Sequence, residues 1–189
     1  MDADELKFIL MDHEQWLADN NTGKRADLTD ADLRYADLKR ADLRHADLAR
    51  AKLDGADLAD ANLRYANLNS ADLMLANLKR ASLDGADLRY ADLRYANLML
   101  ANLEGADLTG AILRQTGLRR ANLTRADLDF SSFPLWCGSF NVKVDKRIAA
   151  QLAYHFCRLD CDNEKYLKAK EALTDLANDF HRIKECGEI

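Results

Sequence analysis

The sequence predicts an all-β solenoid, and two periodic observations carry this prediction. A leucine stands at every fifth position from Leu28 to Leu128, and an alanine precedes each by two positions except at Thr116. An α-helix advances by about 100° per residue, so a five-residue period would scatter the leucines around its axis. A straight strand would send alternate leucines to opposite faces. A chain that bends once per unit instead coils around its own leucines.

The leucine column is therefore the predicted interior of the solenoid. Burying one such side chain contributes about 1.5–3 kcal/mol, against a backbone-ordering cost of similar size. The residues taken to represent this core are Leu28, Leu48, Leu68, Leu83, Leu88, Leu108, Leu128 and Phe133.

The repeated unit, Ala-(Asp/Asn)-Leu-x-x from Ala26 to about Phe133, resembles the pentapeptide repeat family. The resemblance implies a right-handed quadrilateral β-helix with four units per coil and with Leu and Ala pointing inward. The period alone leaves three or four sides open. Four sides would give about 5.5 coils and a rod roughly 26 Å tall at ~4.8 Å per coil. The region after Phe133 also resembles the C-terminal region of some phage and bacterial members, for which no activity is implied.

Three segments are expected: an N-terminal capping helix and linker (1–25), the repeat rod (26–133), and a C-terminal connector and helical cap (134–189). An open solenoid exposes apolar side chains and unpaired backbone at each end, so caps are required. An amphipathic helix from Asp4 to Asp19 is predicted to close the first end through Trp16, and a partner-binding helix is the alternative. At Thr116-Gly117, where the repeat departs from its consensus, a local bulge or a different turn is expected.

The second end follows Pro134, the only proline. Trp136 is predicted to cover it, followed by a helix from Asp145 to about Leu159 and a second helix after Asp162-Asn163. The apolar positions of the second helix form a narrow seam from Tyr166 to Ile183. These helices are expected to cap the rod, to join two copies in a homodimer, or both.

Composition argues against several classes of function. The net charge is −5, and no apolar run approaches the ~20 residues that span a membrane, so we expect no membrane partner and a cytoplasmic protein. The four cysteines have no zinc-site spacing, and the four histidines are dispersed. No Gly-rich phosphate loop or nucleophile motif occurs. The sequence predicts no catalytic, cofactor-binding or metal site, and hence a non-enzymatic protein.

The function predicted is that of a protein-binding or scaffold protein with an unknown protein partner. Outward x-x positions mainly carry polar residues, yet two Met-Leu pairs are apolar, and with four units per coil Tyr95 would stack on Leu75. The predicted partner-binding residues are Met74, Leu75, Arg94, Tyr95, Met99 and Leu100, as one continuous patch. The alternatives are that the C-terminal helices cover this patch, or that duplication copied a harmless pair.

The family resemblance also implies an alternative function, a DNA-mimicking modulator of a type II topoisomerase (gyrase). Its best support is one stacked column, formed by Asp27, Asp47, Asn67, Asp87, Asp107 and Asp127. The repeats hold seventeen acids and fifteen bases, a net of −2, whereas duplex DNA of equal length would need about fifteen negative charges. The sequence argues against direct nucleic-acid binding, because the basic pairs on the third side are interrupted and the chain is acidic.

Overall fold

The computed structural model describes residues 1–132, 142–157 and 164–179. The chain divides into two compact units, Met1–Lys143 and Val144–Ile189. The first holds the helix α1 (Ala3–Ala18) and the repeats, and the second holds α2 (Lys146–Cys157) and α3 (Glu164–Asn178). None of these helices has the length and apolar character needed to cross a membrane.

The repeats form a solenoid with four five-residue units in each coil. Asp27 pairs in parallel with Asp47, and Asp47 pairs with Asn67 on the next coil. The same 20-residue offset recurs on the other three sides of the coil. Each unit contributes a single paired residue, so the described part of the rod consists of isolated bridges and contains no extended strand.

A tight turn makes each corner of the coil. The Ala31 N–H donates to the Leu28 carbonyl at 3.1 Å, and Asp30 between them has φ 57°. A positive φ at the third residue of a four-residue turn is typical of type II. Every fifth residue from Asp30 to Phe130 has a positive φ, although only four of them are glycines. This geometry costs an ordinary residue about 1–2 kcal/mol, and hydrogen bonds between coils offset it.

The Asp/Asn position of the repeat has a local structural role. The Asp27 carboxylate accepts a hydrogen bond from the Thr29 N–H at 3.1 Å, and the same contact recurs in most later units. Asn and Asp are favoured there because a short acceptor side chain caps the turn two residues on. Asparagines also link coils, as where the Asn67 amide donates to Asp47 at 2.9 Å. The aspartate periodicity is thus explained by turn formation.

The interior of the rod is made of leucine and alanine. The representative core residues that the structure describes, each at most 3% exposed, are Leu28, Leu48, Leu68, Leu83, Leu88, Leu108 and Leu128. Phe133 lies outside the described residues.

The irregular unit at Thr116-Gly117 keeps the regular register, so the expected bulge is absent there. Gly117 pairs with Asn97, and the buried Thr116 hydroxyl donates to the Leu93 carbonyl at 2.7 Å. The register changes later, because Asn122 pairs with Lys143, 21 positions on. Lys143 therefore pairs with the rod, and the first compact unit extends to it.

Helix α1 covers the first coil, and its buried residue is His13. The Ala26 N–H donates to His13 Nδ1 at 3.0 Å, which joins the helix to the first unit of the rod. Trp16 is only partly buried, with its ring stacked on His13 at 5.7 Å between centroids and edge-on to His45 at 6.4 Å. The contact at the centre of the cap is thus made by His13, while Trp16 lies beside it.

Helices α2 and α3 pack on each other within the second unit. The Asp145 carboxylate accepts from the Ile148 N–H at 3.1 Å, as a helix N-cap does. The small core between the helices contains Ala153, Tyr154, Cys157 and Ala177, with Leu173 and Leu176 packed against it. Three predicted features lie outside the described residues: Trp136, the Tyr166 side chain, and the end of the seam at Phe180 and Ile183.

Candidate partner-binding surface

The predicted partner-binding residues lie on two adjacent corners of the rod. The Leu75 N–H donates to the Arg94 carbonyl at 3.0 Å, which places the pair Arg94-Tyr95 directly above Met74-Leu75. The next corner carries Met99-Leu100. The exposed fractions of Leu75, Tyr95 and Leu100 are 56%, 53% and 43%. We call Met74, Leu75, Tyr95, Met99 and Leu100 the Met–Leu surface.

The Met–Leu surface has the form of two ridges, with a polar column between them. The side of the coil that joins the two corners presents Asn77, Asn97 and Gly117 outward, one above the other. The Asn77 amide donates to Asp57 at 3.0 Å, and the Asn97 amide donates to Asn77 at 3.4 Å. The continuous apolar patch expected from the sequence is therefore interrupted by an amide column.

Arg94, expected at the border of the patch, is already engaged in an ion pair. Its guanidinium donates to both carboxylate oxygens of Asp92, with the shortest contact at 2.6 Å. Burial of the Asp92 carboxyl opposes ionisation, but the hydrogen bonds from Arg94 outweigh it and lower the pKa of Asp92. The side chain is thus held by the neighbouring side of the coil, which leaves it less available to a partner.

Most other basic side chains of the rod are also paired with a carboxylate. Some pairs link successive coils, such as Arg80 with Asp60 at 2.6 Å. Others lie within one unit, such as Arg44 with Asp42 at 2.7 Å. Further pairs are Arg34–Asp32, Lys39–Asp57, Arg50–Asp30, Arg64–Asp84 and Arg89–Asp87. Most of the positive charges on the rod are therefore neutralised by a neighbouring carboxylate.

Three arginines next to the Met–Leu surface differ from this pattern. Arg114 lies above Arg94, and Arg119-Arg120 lie above Met99-Leu100. All three are exposed. Within the described part of the chain, no carboxylate lies within 4.0 Å of their guanidinium groups. Among the described residues, these three guanidinium groups therefore lack a matching carboxylate.

The acidic column proposed for DNA mimicry is stacked as expected, but several of its charges are compensated. Asp27, Asp47, Asn67 and Asp87 succeed one another on successive coils. Asp47 accepts a hydrogen bond from the Asn67 amide, and Asp87 forms a two-point pair with Arg89. The hydrogen bond from Arg89 lowers the pKa of the Asp87 carboxyl. The column is an ordered line of carboxylates with cations beside it.

A groove also lies between α1 and the first coil. Its volume is about 680 Å³, and its lining includes Met1, Leu6, Leu10, Met11 and Leu33. Across the described residues, no group of three or more His, Cys, Asp or Glu side chains is arranged to hold a metal ion.

The family match agrees with this architecture. A model of pentapeptide repeats matches in eight copies, over residues 24–58, 41–80, 76–105 and 96–134. Together these segments span more than half of the chain. The chain belongs to the pentapeptide repeat family. Pentapeptide repeat proteins are generally structural or binding proteins, and the chain matches no catalytic family. No curated protein matches the chain.

Solved structures of other pentapeptide repeat proteins resemble this one. Rfr23 from the cyanobacterium Cyanothece 51142 shares 36% identity over 57% of this chain and 66% of its own, with a TM-score of 0.43. HetL from Nostoc sp. strain PCC 7120, involved in heterocyst differentiation regulation, shares 34% identity over 64% of this chain and 60% of its own, with a TM-score of 0.29. The plasmid-mediated fluoroquinolone resistance protein QnrB1 shares 20% identity over 68% of this chain and 72% of its own, with a TM-score of 0.33. This chain spans less than two thirds of the length of the first two.

Proposed function

We propose that this pentapeptide repeat protein is a non-enzymatic binding or scaffold protein that docks another protein on its Met–Leu surface. The observation that carries the proposal is the exposure of Leu75, Tyr95 and Leu100 on adjacent corners. Large exposed apolar patches on a protein mark interaction sites, and Met with Tyr suits an adaptable contact surface.

The test is the double variant Leu75→Ser with Leu100→Ser. Both side chains point to solvent, so the melting temperature should stay nearly unchanged while capture of the partner from extracts of the native host is lost. Ile112→Ser is the matched control, because Ile112 is also apolar and 38% exposed but lies on a different side. A large drop in melting temperature would show that the surface is internal packing. Equal capture by both variants would remove it as the docking site.

The alternative function is a DNA-mimicking modulator of a type II topoisomerase. The stacked carboxylates of Asp27, Asp47, Asp87, Asp107 and Asp127 support it, and the cations beside them count against it. A gyrase supercoiling assay with the purified protein separates the two functions. Inhibition that is lost in an Asp107→Asn, Asp127→Asn variant, but kept in Leu75→Ser, Leu100→Ser, would favour mimicry over the Met–Leu surface.

A further inference from the structure

The three unpaired arginines and the Met–Leu surface occupy the same region of the rod. Arg119 lies one coil above Met99, and Arg114 lies one coil above Arg94, at the ends of the two apolar ridges. Elsewhere on the rod, most arginines are neutralised by a carboxylate of the same unit or of a neighbouring coil, with Arg40 as an exception. Cations are therefore left unmatched beside the patch where apolar side chains are exposed.

This arrangement defines the chemistry of a complementary partner. A segment that packs its aliphatic side chains on the two ridges would bring its flanking residues close to the arginines. An arginine guanidinium binds a carboxylate by two parallel hydrogen bonds, so acidic flanking residues fit best. The amide column of Asn77 and Asn97 also offers hydrogen bonds to a polar backbone along the centre of the surface.

We propose that the Met–Leu surface with Arg114, Arg119 and Arg120 binds an acidic segment of another protein that also carries aliphatic side chains. This inference rests on the proposed docking function and specifies its partner. The column of Asn77, Asn97 and Gly117 argues against a lipid surface, because amides sunk into acyl chains would lose their hydrogen bonds to water. Nucleic acid is disfavoured as well, because Tyr95 is the single ring of the surface, and base stacking uses successive rings.

The experiment is selection of a random peptide library, displayed on phage, on the immobilised full-length protein. Enriched peptides are then synthesised, and their affinities are measured by fluorescence anisotropy. The decisive variant is Arg119→Glu with Arg120→Glu. Its control is Arg40→Glu, which changes the same corner in the first coil. Arg40 has φ 58° against 60° for Arg120, and no carboxylate of the described residues lies within 4.0 Å of its guanidinium group. Circular dichroism and the melting temperature verify that each variant is folded.

The expected result is enrichment of peptides that combine Asp or Glu with Leu, Ile or Phe. Their affinity should fall about tenfold or more in the Arg119→Glu, Arg120→Glu variant and stay unchanged in Arg40→Glu. Affinity should also weaken with added salt, because exposed charges are screened. Enrichment of non-acidic peptides, absence of enrichment, or equal effects of the two arginine variants would overturn the proposal.

Two further measurements distinguish the proposal of an acidic partner from the docking function on which it rests. If Leu75→Ser, Leu100→Ser abolishes peptide binding while Arg119→Glu, Arg120→Glu does not, the surface binds proteins but the acidic partner is wrong. If neither variant has an effect, both proposals fail. Stronger arginine-dependent binding to phosphatidylglycerol vesicles or to a single-stranded oligonucleotide would replace the acidic segment by a membrane or by nucleic acid.

Discussion

Individual residues on the outside of the rod make contacts that the five-residue repeat does not reveal. Three exposed tyrosines lie against a glycine on the next coil, in the pairs Tyr35–Gly55, Tyr65–Gly85 and Tyr90–Gly110. A Cβ on Gly85 would lie 2.5 Å from the Tyr65 ring. The ring of Tyr65 also stacks on His45 at 5.3 Å. Glycine at these corners therefore permits a positive φ and also leaves room for a ring.

Gly85→Ala tests this second role of glycine. The substitution strains a φ of +67° and forces the Tyr65 ring away, so the free energy of unfolding should fall. Gly105→Ala is the matched control, because it lies on the same corner with a φ of +68° and has no atom within 4 Å of the added Cβ. Chemical denaturation should show a larger loss for Gly85→Ala, by about 1 kcal/mol or more. Equal losses would show that the ring contributes nothing.

At the scale of the elements, α1 closes the first end through a neutral histidine. His13 Nδ1 accepts the Ala26 N–H and must therefore be unprotonated, while Nε2 is buried without a hydrogen-bond partner. Burial is the main cause that lowers the pKa of His13 below 6.5, and the charge of Arg25 adds to it, whereas Asp42 raises the pKa. Docking of the helix is thereby coupled to the protonation state of one ring.

The pH dependence of stability follows from this coupling. Below pH 6.5 the unfolded chain binds a proton that His13 in the folded cap does not. The contribution of the neutral His13 to the free energy of unfolding is therefore fully present above this pH and is lost as the pH falls. In His13→Asn, whose side-chain oxygen can still accept from Ala26, this loss between about pH 7 and pH 5 should be smaller. Thermal melts across that range measure it. An identical pH profile for the variant would show that His13 does not control the cap.

The sequence predicted the position of this helix better than its key contact. Apolar periodicity places a helix from Asp4 to Asp19, and the structure has it at Ala3–Ala18. Trp16 is the largest side chain on the apolar stripe, but the buried position went to His13. His13 can be buried because its ring nitrogen accepts a hydrogen bond from the Ala26 N–H, thirteen residues away in the sequence. The apolar periodicity of the helix alone does not reveal this contact. The Tyr–Gly pairs were detectable, because each tyrosine precedes its glycine by twenty residues.

At the scale of the whole molecule, the rod is a stack in which each coil contacts only its neighbours. The period of five fixes which residues point inward, and Leu28 through Leu128 are buried accordingly. The number of units per coil, and hence every vertical contact, depends on the turn geometry and not on the period. This is why the sequence pattern predicted the core, whereas the amide column that divides the Met–Leu surface appeared only in the structure.

Leu83→Lys tests the rod as a cooperative unit. Leu83 is fully buried in the middle of the stack, and a lysine there would have no partner for its charge. We expect a loss of about 4 kcal/mol or more in the free energy of unfolding, or no folded rod at all. Arg120→Lys is the control and should change the melting temperature little, because Arg120 lies at an exposed corner with no carboxylate of the described residues within 4.0 Å. A stable, soluble Leu83→Lys protein with an unchanged spectrum would contradict the leucine interior.

The vertical contacts limit how such a rod can change in length. Each unit brings its own leucine and alanine, so the interior accepts the gain or loss of any single unit. Contacts on the outside join residues twenty apart, and one extra unit would separate Arg80 from Asp60. The stretch Leu53–Leu58 recurs thirty residues later as Leu83–Leu88, and the Tyr35–Gly55 contact recurs with the same offset as Tyr65–Gly85. A copied block that is longer than one coil thus contains both partners of such a contact and keeps it, even when the copy faces other sides of the rod. A five-residue piece contains only one partner and carries no such contact with it.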